Sequence, residues 1–226
     1  MGLELYAKIE PLIPFDDEIG KLYKIYLKEL KKQNPTAILD LGCGGGKFMQ
    51  KAIKEGFLNI DGIDLSAKQI EIAKKAGLNA EAIDIKAVTK KYDAVVAVFD
   101  VLNYVYYDEL ESFLRSVRDI LNDGGKFYAD INTLYGFNEI AQGDLLLEGE
   151  GVYGSLSSYF EENKLETNLR IFTKSGELYK KEEDVITQYY HSIEYIKKIN
   201  PFKNLKVDDI ALYGKKADKF LLTFWD

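Results

Sequence analysis

Residues Ile38-Leu39-Asp40-Leu41-Gly42-Cys43-Gly44-Gly45-Gly46 constrain this chain more than any other stretch, because an apolar strand there runs into a glycine-rich turn and then a helix. Glycine lets the backbone take φ > 0 and approach a ligand with no Cβ in the way. The helix, opening near Gly45 with Phe48, Met49, Ala52 and Ile53 at helical spacing, aims unpaired N–H groups at the turn. Such an end attracts an anion. A dinucleotide fingerprint, G-x-G-x-x-G, counted from Gly42 would need a third glycine where Lys47 stands. The spacing is instead Asp-x-Gly-x-Gly-x-Gly from Asp40 to Gly46. By itself the turn leaves nucleotide and flavin ligands open.

The rest of the chain reads as one domain of alternating strands and helices. A helix from Asp17 to about Lys32 is apolar at Ile19, Leu22, Tyr23, Tyr26 and Leu30 and is stopped by Asn34-Pro35. Strands are predicted at Ala37–Leu41, Ile60–Ile63, about Ala80–Ile83, Ala94–Phe99 and Lys126–Ile131. Between them Ser66, with Gln69 three residues on, caps one helix closed by Gly77, and Asp108, with Glu111, caps another ended by Gly124-Gly125. The continuous apolar run at 94–99 suits a parallel strand covered on both faces. Right-handed crossovers then give an α/β fold, a Rossmann-like, doubly wound, mostly parallel sheet.

After Asn132 the period approaches two: Leu165, Thr167, Leu169 and Ile171 oppose Glu166, Asn168 and Arg170. Turn-like tips stand at 162–164 and 174–176. This predicts an inserted antiparallel β cap of three or more strands over about 145–190, following strand five, with the core at about 17–140 and 191–226. A helix from Ser192 to Ile199 returns to that core. Strands at about Lys206–Tyr213 and Lys219–Trp225, turning at Gly214-Lys215-Lys216, are expected to form an antiparallel edge pair.

Composition narrows the partners. A net charge of −7 argues against a nucleic-acid footprint, and three arginines leave few bidentate phosphate clamps. A single cysteine, Cys43, forms no intrachain disulfide and suits a reducing cytoplasm. Met1 to Glu10 does not read as a signal peptide. The longest apolar run, Ala94 to Tyr107, holds Asp100 and Asn103 and is too short for a bilayer. Monomer and homodimer both stay open, and no metal site is assigned.

The Asp40–Gly46 segment resembles motif I of the class I S-adenosylmethionine-dependent methyltransferases. The resemblance implies that Asp40, Gly42, Cys43, Gly44 and Gly46 receive the methionine portion of S-adenosylmethionine. Asp64, 22 residues after Gly42, would accept both ribose hydroxyls. Leu65 would cover one face of adenine. Asp84 would accept from the adenine amine, with Ile85 offering its backbone, and Phe99 and Asp100 would form the fourth lip, facing the methyl group. The β insertion is similar to that of small-molecule methyltransferases related to the glycine N-methyltransferase group. No Asn-Pro-Pro-Tyr type tetrapeptide follows strand four, where 100–103 reads Asp-Val-Leu-Asn.

The expected reaction is in-line displacement from a sulfonium onto a small-molecule N or O acceptor, driven mainly by orientation and exclusion of water. A base is useful only where the acceptor must lose a proton. Asp100, Asp130, Tyr135, Tyr190 and His191 are candidates, none singled out by a motif. Tyr104, with Tyr106, Tyr107 and Tyr135, flanks the expected crevice, where aromatic faces suit a cationic amine. Methylation of a protein, a cofactor-binding role without transfer and an NAD ligand are the competing readings.

Overall fold

The structure, a computed structural model, describes residues 2–226. A short helix α1 (Leu3–Tyr6) and a 3-10 turn (Glu10–Leu12) precede α2 (Asp16–Gln33). The helix α2 buries Leu22, Tyr26, Leu27 and Leu30 and closes on Asn34, whose left-handed backbone returns its N–H to the Leu30 carbonyl just before Pro35. The core then alternates: β1 (Ile38–Leu41), α3 (Lys47–Lys54), β2 (Ile60–Asp64), α4 (Ala67–Lys75), β3 (Ala80–Ala82), β4 (Tyr92–Ala97), α5 (Tyr107–Asp119) and β5 (Leu121–Asn132). Four strands follow, β6 (Gly143–Gly149), β7 (Val152–Glu161), β8 (Lys164–Ser175) and β9 (Leu178–Tyr189), then α6 (Ile193–Ile199), β10 (Asn204–Ile210) and β11 (Lys219–Trp225).

The central sheet has the order β10-β11-β5-β4-β1-β2-β3, and its order reverses between β1 and β4. In an open α/β sheet ligands bind at that reversal, beyond the carboxyl ends of the strands. Apolar side chains cover both faces. Leu22, Tyr26, Phe48, Met49 and Ile70 pack on one, and Leu110, Leu114, Val117, Ile196 and Phe224 on the other. The strands β6-β7-β8-β9 form a separate antiparallel sheet, whose inner face carries Leu147, Leu156, Leu169, Ile171 and Ile186. Leu5 and Ile9 of the N-terminal segment complete this third cluster, so residues expected to lie outside core and cap are part of the cap's packing. No helix among the described residues is long and apolar enough to cross a membrane.

Several local expectations need correction. The glycine pair 124–125 does not end α5, which stops at Asp119; it shapes a bulge inside β5, where Tyr92 pairs with Leu121 and Ala94 with Lys126. Gly124 takes φ +76, and the Asn122 amide donates to Asp93, which holds the bulge. Asp108 is not the N-cap of α5 but lies in its first turn, where its charge complements the helix dipole; Tyr106 takes the cap position with no side-chain bond. The strand β4 ends at Ala97, because Phe99 and Asp100 both turn into the left-handed region. The last two strands do form the expected antiparallel pair at the edge of the sheet, with β11 against β5 and β10 outermost, but β10 starts earlier and ends at Ile210, short of the expected Tyr213. An almost wholly apolar strand, Phe220 to Trp225, belongs inside the sheet and not at its rim.

Candidate functional site

A cavity of about 890 Å³ opens at the strand reversal, between the carboxyl ends of the central sheet, the inner face of the cap and the N-terminal segment. Its floor is the glycine turn. The N–H groups of Gly42 and Cys43 donate to the Ile63 carbonyl at 2.8 and 3.0 Å, which ties the turn to β2. Gly44 N–H donates to Asp64 Oδ2 at 2.9 Å, and Ser66 N–H to Oδ1 at 2.8 Å. Asp64 is thereby fixed with acceptor capacity left on both oxygens. Ser66 caps α4, its hydroxyl accepting from Gln69 N–H at 3.1 Å.

The glycines divide by what surrounds them. A Cβ on Gly44 would meet nothing nearer than Gln69 Cδ at 3.9 Å, so that glycine (φ +51) faces open space. A Cβ on Gly46 would sit 2.1 Å from Leu78 Cδ1, so there the need is packing.

Asp40 is 1% exposed, and its Oδ2 has no hydrogen-bond partner among the described residues. Burial, with the Asp64 charge added, pushes its carboxyl up to about 8. A buried, unpartnered carboxylate oxygen beside the cavity suits a cationic donor. Leu65, also lining the cavity, is 59% exposed and offers a free apolar surface next to Asp64. Asp84 starts a 3-10 turn by accepting from Lys86 N–H at 2.8 Å, with Ile85 buried behind it. Phe99 and Asp100 (φ +65 and +64) form the lip after β4. Asp40, Gly42, Cys43, Gly44, Asp64, Leu65, Asp84, Ile85, Phe99 and Asp100 all line this one cavity, and Gly46 stands just behind.

The remaining candidates separate. Tyr104 lines the cavity. Asp130 does not; it is fully buried, accepting from Tyr26 OH at 2.7 Å and from Phe99 N–H at 2.8 Å. His191 is also buried away from it, with Nε2 against the Leu102 and Val105 carbonyls at 3.1 and 3.0 Å. Two carbonyl acceptors fix the proton on Nε2, and burial holds the ring's pKa below the usual histidine range. Tyr135 lies under Lys216 Nζ, 5.2 Å from its ring centre, and Tyr190 packs edge-on to Phe137; neither lines the cavity. Tyr106 and Tyr107, expected to flank the crevice, do not line it; the Tyr107 hydroxyl donates to the Tyr190 carbonyl at 2.9 Å.

Other lining residues carried no motif. Tyr6 and Glu10 close the cavity from the N-terminal side, Glu10 accepting from Gln69 Nε2 at 2.8 Å and pairing with Lys47 at 3.0 Å. Ser158, Thr167 and Gln188 are polar interruptions on the cap's inner face. Lys219 is 1% exposed at the start of β11. Its one legible signal is a lone charge leading an apolar strand, on the same side as Leu221 and Thr223.

Residues 38–125 match the family model of the methyltransferase domain. A putative methyltransferase of Geobacillus sp. is 29% identical over 147 residues, 61% of this chain and 58% of that protein. The mitochondrial ubiquinone biosynthesis O-methyltransferase of Candida albicans is 29% identical over 116 residues, 46% of this chain and 35% of that one. The chain thus matches between a third and three fifths of the length of these relatives. Among solved structures, an S-adenosylmethionine-dependent methyltransferase from Clostridium acetobutylicum superposes with a TM-score of 0.74 at 22% identity, covering 96% of this chain and 94% of that one. The sugar N-methyltransferase KedS8 from Streptoalloteichus gives 0.75 at 17% identity, over 98% and 92%. Residues 38–125 are thus similar to the methyltransferase domain, and the fold as a whole is that of solved S-adenosylmethionine-dependent methyltransferases.

Proposed function

We propose that this protein transfers the methyl group of S-adenosylmethionine to a small-molecule nitrogen or oxygen acceptor. The observation that carries the reading is the floor of the cavity, where an open glycine turn lies beside the buried, unpartnered Oδ2 of Asp40. When bound, the cofactor supplies an electrophilic methyl carbon on a sulfonium. Gly42 to Gly46 would let its methionine portion lie on backbone, with Asp40 receiving the ammonium group. Asp64 would accept from the ribose hydroxyls, Leu65 would cover the adenine, and Asp84 with Ile85 would receive its polar edge. Phe99 and Asp100 then border the space left for an acceptor.

Enclosure supports a small acceptor over a protein or nucleic acid. The antiparallel sheet roofs the cavity and the N-terminal segment closes one side, so little chain-like substrate fits beneath. Such a roof excludes water and holds two reactants in line, the two effects a displacement of this kind depends on. Ser158, Thr167 and Gln188 would hydrogen-bond a polar, hydroxylated acceptor, and neighbours named as sugar methyltransferases superpose over nearly the whole chain, roof included.

Titration calorimetry with S-adenosylhomocysteine tests the cofactor half, and micromolar affinity, about −8 kcal/mol, is expected. A folded protein giving no heat refutes the reading. Transfer of radiolabel from methyl-labelled S-adenosylmethionine to a metabolite panel tests the acceptor half.

A further inference from the structure

Behind the lip formed by Phe99 and Asp100 lies a closed cluster of ions. Asp130 has partners on both oxygens, and the Tyr26 hydroxyl shares its one proton between Oδ1 and the Ala97 carbonyl, each at 2.7 Å. Tyr26 OH and Phe99 N–H reach Oδ1 at 2.7 and 2.8 Å, and Asp100 N–H and Lys219 Nζ reach Oδ2 at 3.3 and 3.0 Å. Lys219 spends its three protons on Asp100, on Asp130 and on Asn132 Oδ1 at 3.1 Å. Nothing in this set is spare except one atom. Asp100 meets Lys219 through Oδ1, while its Oδ2 has no protein donor among the described residues, and the side chain keeps 17% exposure on the cavity wall.

Two further facts give this arrangement a purpose. Phe99 and Asp100 are consecutive residues with side chains held at φ +65 and +64, a conformation that persists only where surroundings enforce it. The enforcement is visible, since both their N–H groups are drawn onto Asp130. The charges also do not cancel: two carboxylates face one ammonium, leaving one negative charge at the cavity wall. A buried net charge calls for a proton or a cationic ligand.

We propose that Asp100 is a catalytic residue that receives an aliphatic ammonium acceptor at its open oxygen and takes its proton, and that Lys219, with Asp130, is the positioning residue that fixes it there. The inference rests on the methyltransferase reading above and selects nitrogen from its two acceptor atoms. The carboxylate removes one N–H proton and becomes neutral. The freed nitrogen lone pair forms the N–C bond while the S–C bond breaks and its electron pair stays on sulfur. The products are a methylated ammonium and S-adenosylhomocysteine, and the proton on Asp100 passes to solvent. An aliphatic alcohol is too weak an acid for a carboxylate to ionise and would leave the cluster's charge unbalanced. An ammonium, with a pKa of about 10, carries the missing charge and is the nearer match. Burial supports this by raising the Asp100 carboxyl to about 6, with Lys219 opposing and Asp130 reinforcing the rise.

The groups facing Asp100 are Lys219 from β11, Asp130 from β5, Tyr26 from α2, Tyr6 from α1, Tyr104 from the lip and Tyr213 before β11. The tyrosines stay protonated through neutral pH, since burial raises each of them, so a titration in the acid-to-neutral range reads the ion cluster.

The experiment is carbon-13 NMR of carboxyl-labelled aspartate in the protein saturated with S-adenosylhomocysteine. Asp100 is identified by the signal lost in Asp100→Asn. We expect a midpoint near pH 6 and a rise of more than about one pH unit in Lys219→Met, which removes the opposing cation. Methylammonium, small enough to enter any part of the cavity, is expected to lower the midpoint at constant ionic strength, while methanol leaves it in place. The double variant Lys219→Met/Asp130→Asn removes both charges; should the single variant unfold, the double variant replaces it, and its Asp100 midpoint is expected to rise, because the lowering by Lys219 outweighs the raising by Asp130, while an unchanged or lower midpoint counts against the proposal. A wild-type midpoint below about 4.5, no response to loss of Lys219, or equal responses to methylammonium and methanol overturns the proposal. Failure of S-adenosylhomocysteine to bind overturns the parent reading instead.

Discussion

Gly44 and Gly46 share a left-handed backbone and a motif, yet the structure assigns them different work. Gly44→Val puts a branched side chain into the cavity, so S-adenosylhomocysteine binding is expected to fall at least about tenfold while folding loses only the strain of a positive φ, about 1–2 kcal/mol. Gly46→Ala drives a methyl into Leu78 and is expected to lower stability by about 1–3 kcal/mol. Thermal melts followed by circular dichroism, with calorimetry, separate the two, and equal losses of binding without loss of stability would contradict the assignment. Asp40 gives a pH test. Its folded pKa of about 8 lies above the ordinary carboxylate value, so its protonated form is favoured in the folded state. Its contribution is complete below about pH 4 and is lost as pH rises to about 8. Asp40→Asn should remove that decline and melt higher than the parent at pH 8. A cationic ligand group favours the ionised form, so cofactor binding at pH 7 should release a proton, visible as a dependence of calorimetric heat on buffer ionisation enthalpy. Heats independent of buffer would exclude Asp40 as the ammonium partner. At this scale the motif glycines and strand-end acids were legible because spacing reports them. The open oxygen on Asp40 and the ion cluster at Lys219 were not, since they exist only once distant strands pair.

Elements were legible where one period dominates. The alternation of Leu165, Thr167, Leu169 and Ile171 marks a two-faced sheet, and the continuous run 94–97 marks a strand buried on both sides. Boundaries failed where one signal has two physical uses. A glycine pair can stop a helix or shape a bulge, and at 124–125 pairing with β4 decided for the bulge. The N-terminal segment failed for another reason: α1 has four residues, and apart from α4 its partners, in β8 and β9, are more than a hundred residues away. Ile9 shows how it is held, being fully buried among Leu147, Leu156, Leu169 and Ile171 of the cap, while Glu10 reaches back to Gln69 and Lys47 beside the glycine turn. Ile9→Ala should cost about 2–5 kcal/mol of local docking. Amide exchange should rise across residues 3–13 and the inner cap strands, with little change in β1, β4 and β5. Uniform acceleration across the central sheet would mean that this segment is part of the global folding unit.

For the whole molecule the arrangement of apolar clusters matters most. Both faces of the central sheet are covered by side chains from residues 22–131 and 193–224, with none from the N-terminal segment or from β6 to β9. The third cluster joins those two parts to each other across the cavity. The two parts proposed to hold the cofactor and to enclose the acceptor are thus packed largely separately, with Tyr104 of the core reaching the third cluster, and the cavity lies at the seam between them. Asn103 is the staple at that seam. Fully buried, it accepts from Asn132 N–H at 3.0 Å, where the chain leaves the core, and donates to the Tyr189 carbonyl at 2.8 Å, where the chain returns. Both hinges are therefore fixed by the core, and the roof can be removed without unpairing a core strand. A variant lacking residues 2–13 and carrying a short Gly/Ser linker in place of residues 143–188 should keep the circular dichroism and cooperative melting of an α/β domain. It should bind S-adenosylhomocysteine more weakly than the parent, since Tyr6 and Glu10 are gone from the cavity wall. Transfer to the parent's acceptor should fall by orders of magnitude if, as proposed, the roof orients that acceptor and excludes water. Native-rate transfer by this variant would show that the cap plays no part in holding the acceptor, and loss of the core fold would show that the three clusters stabilise one another.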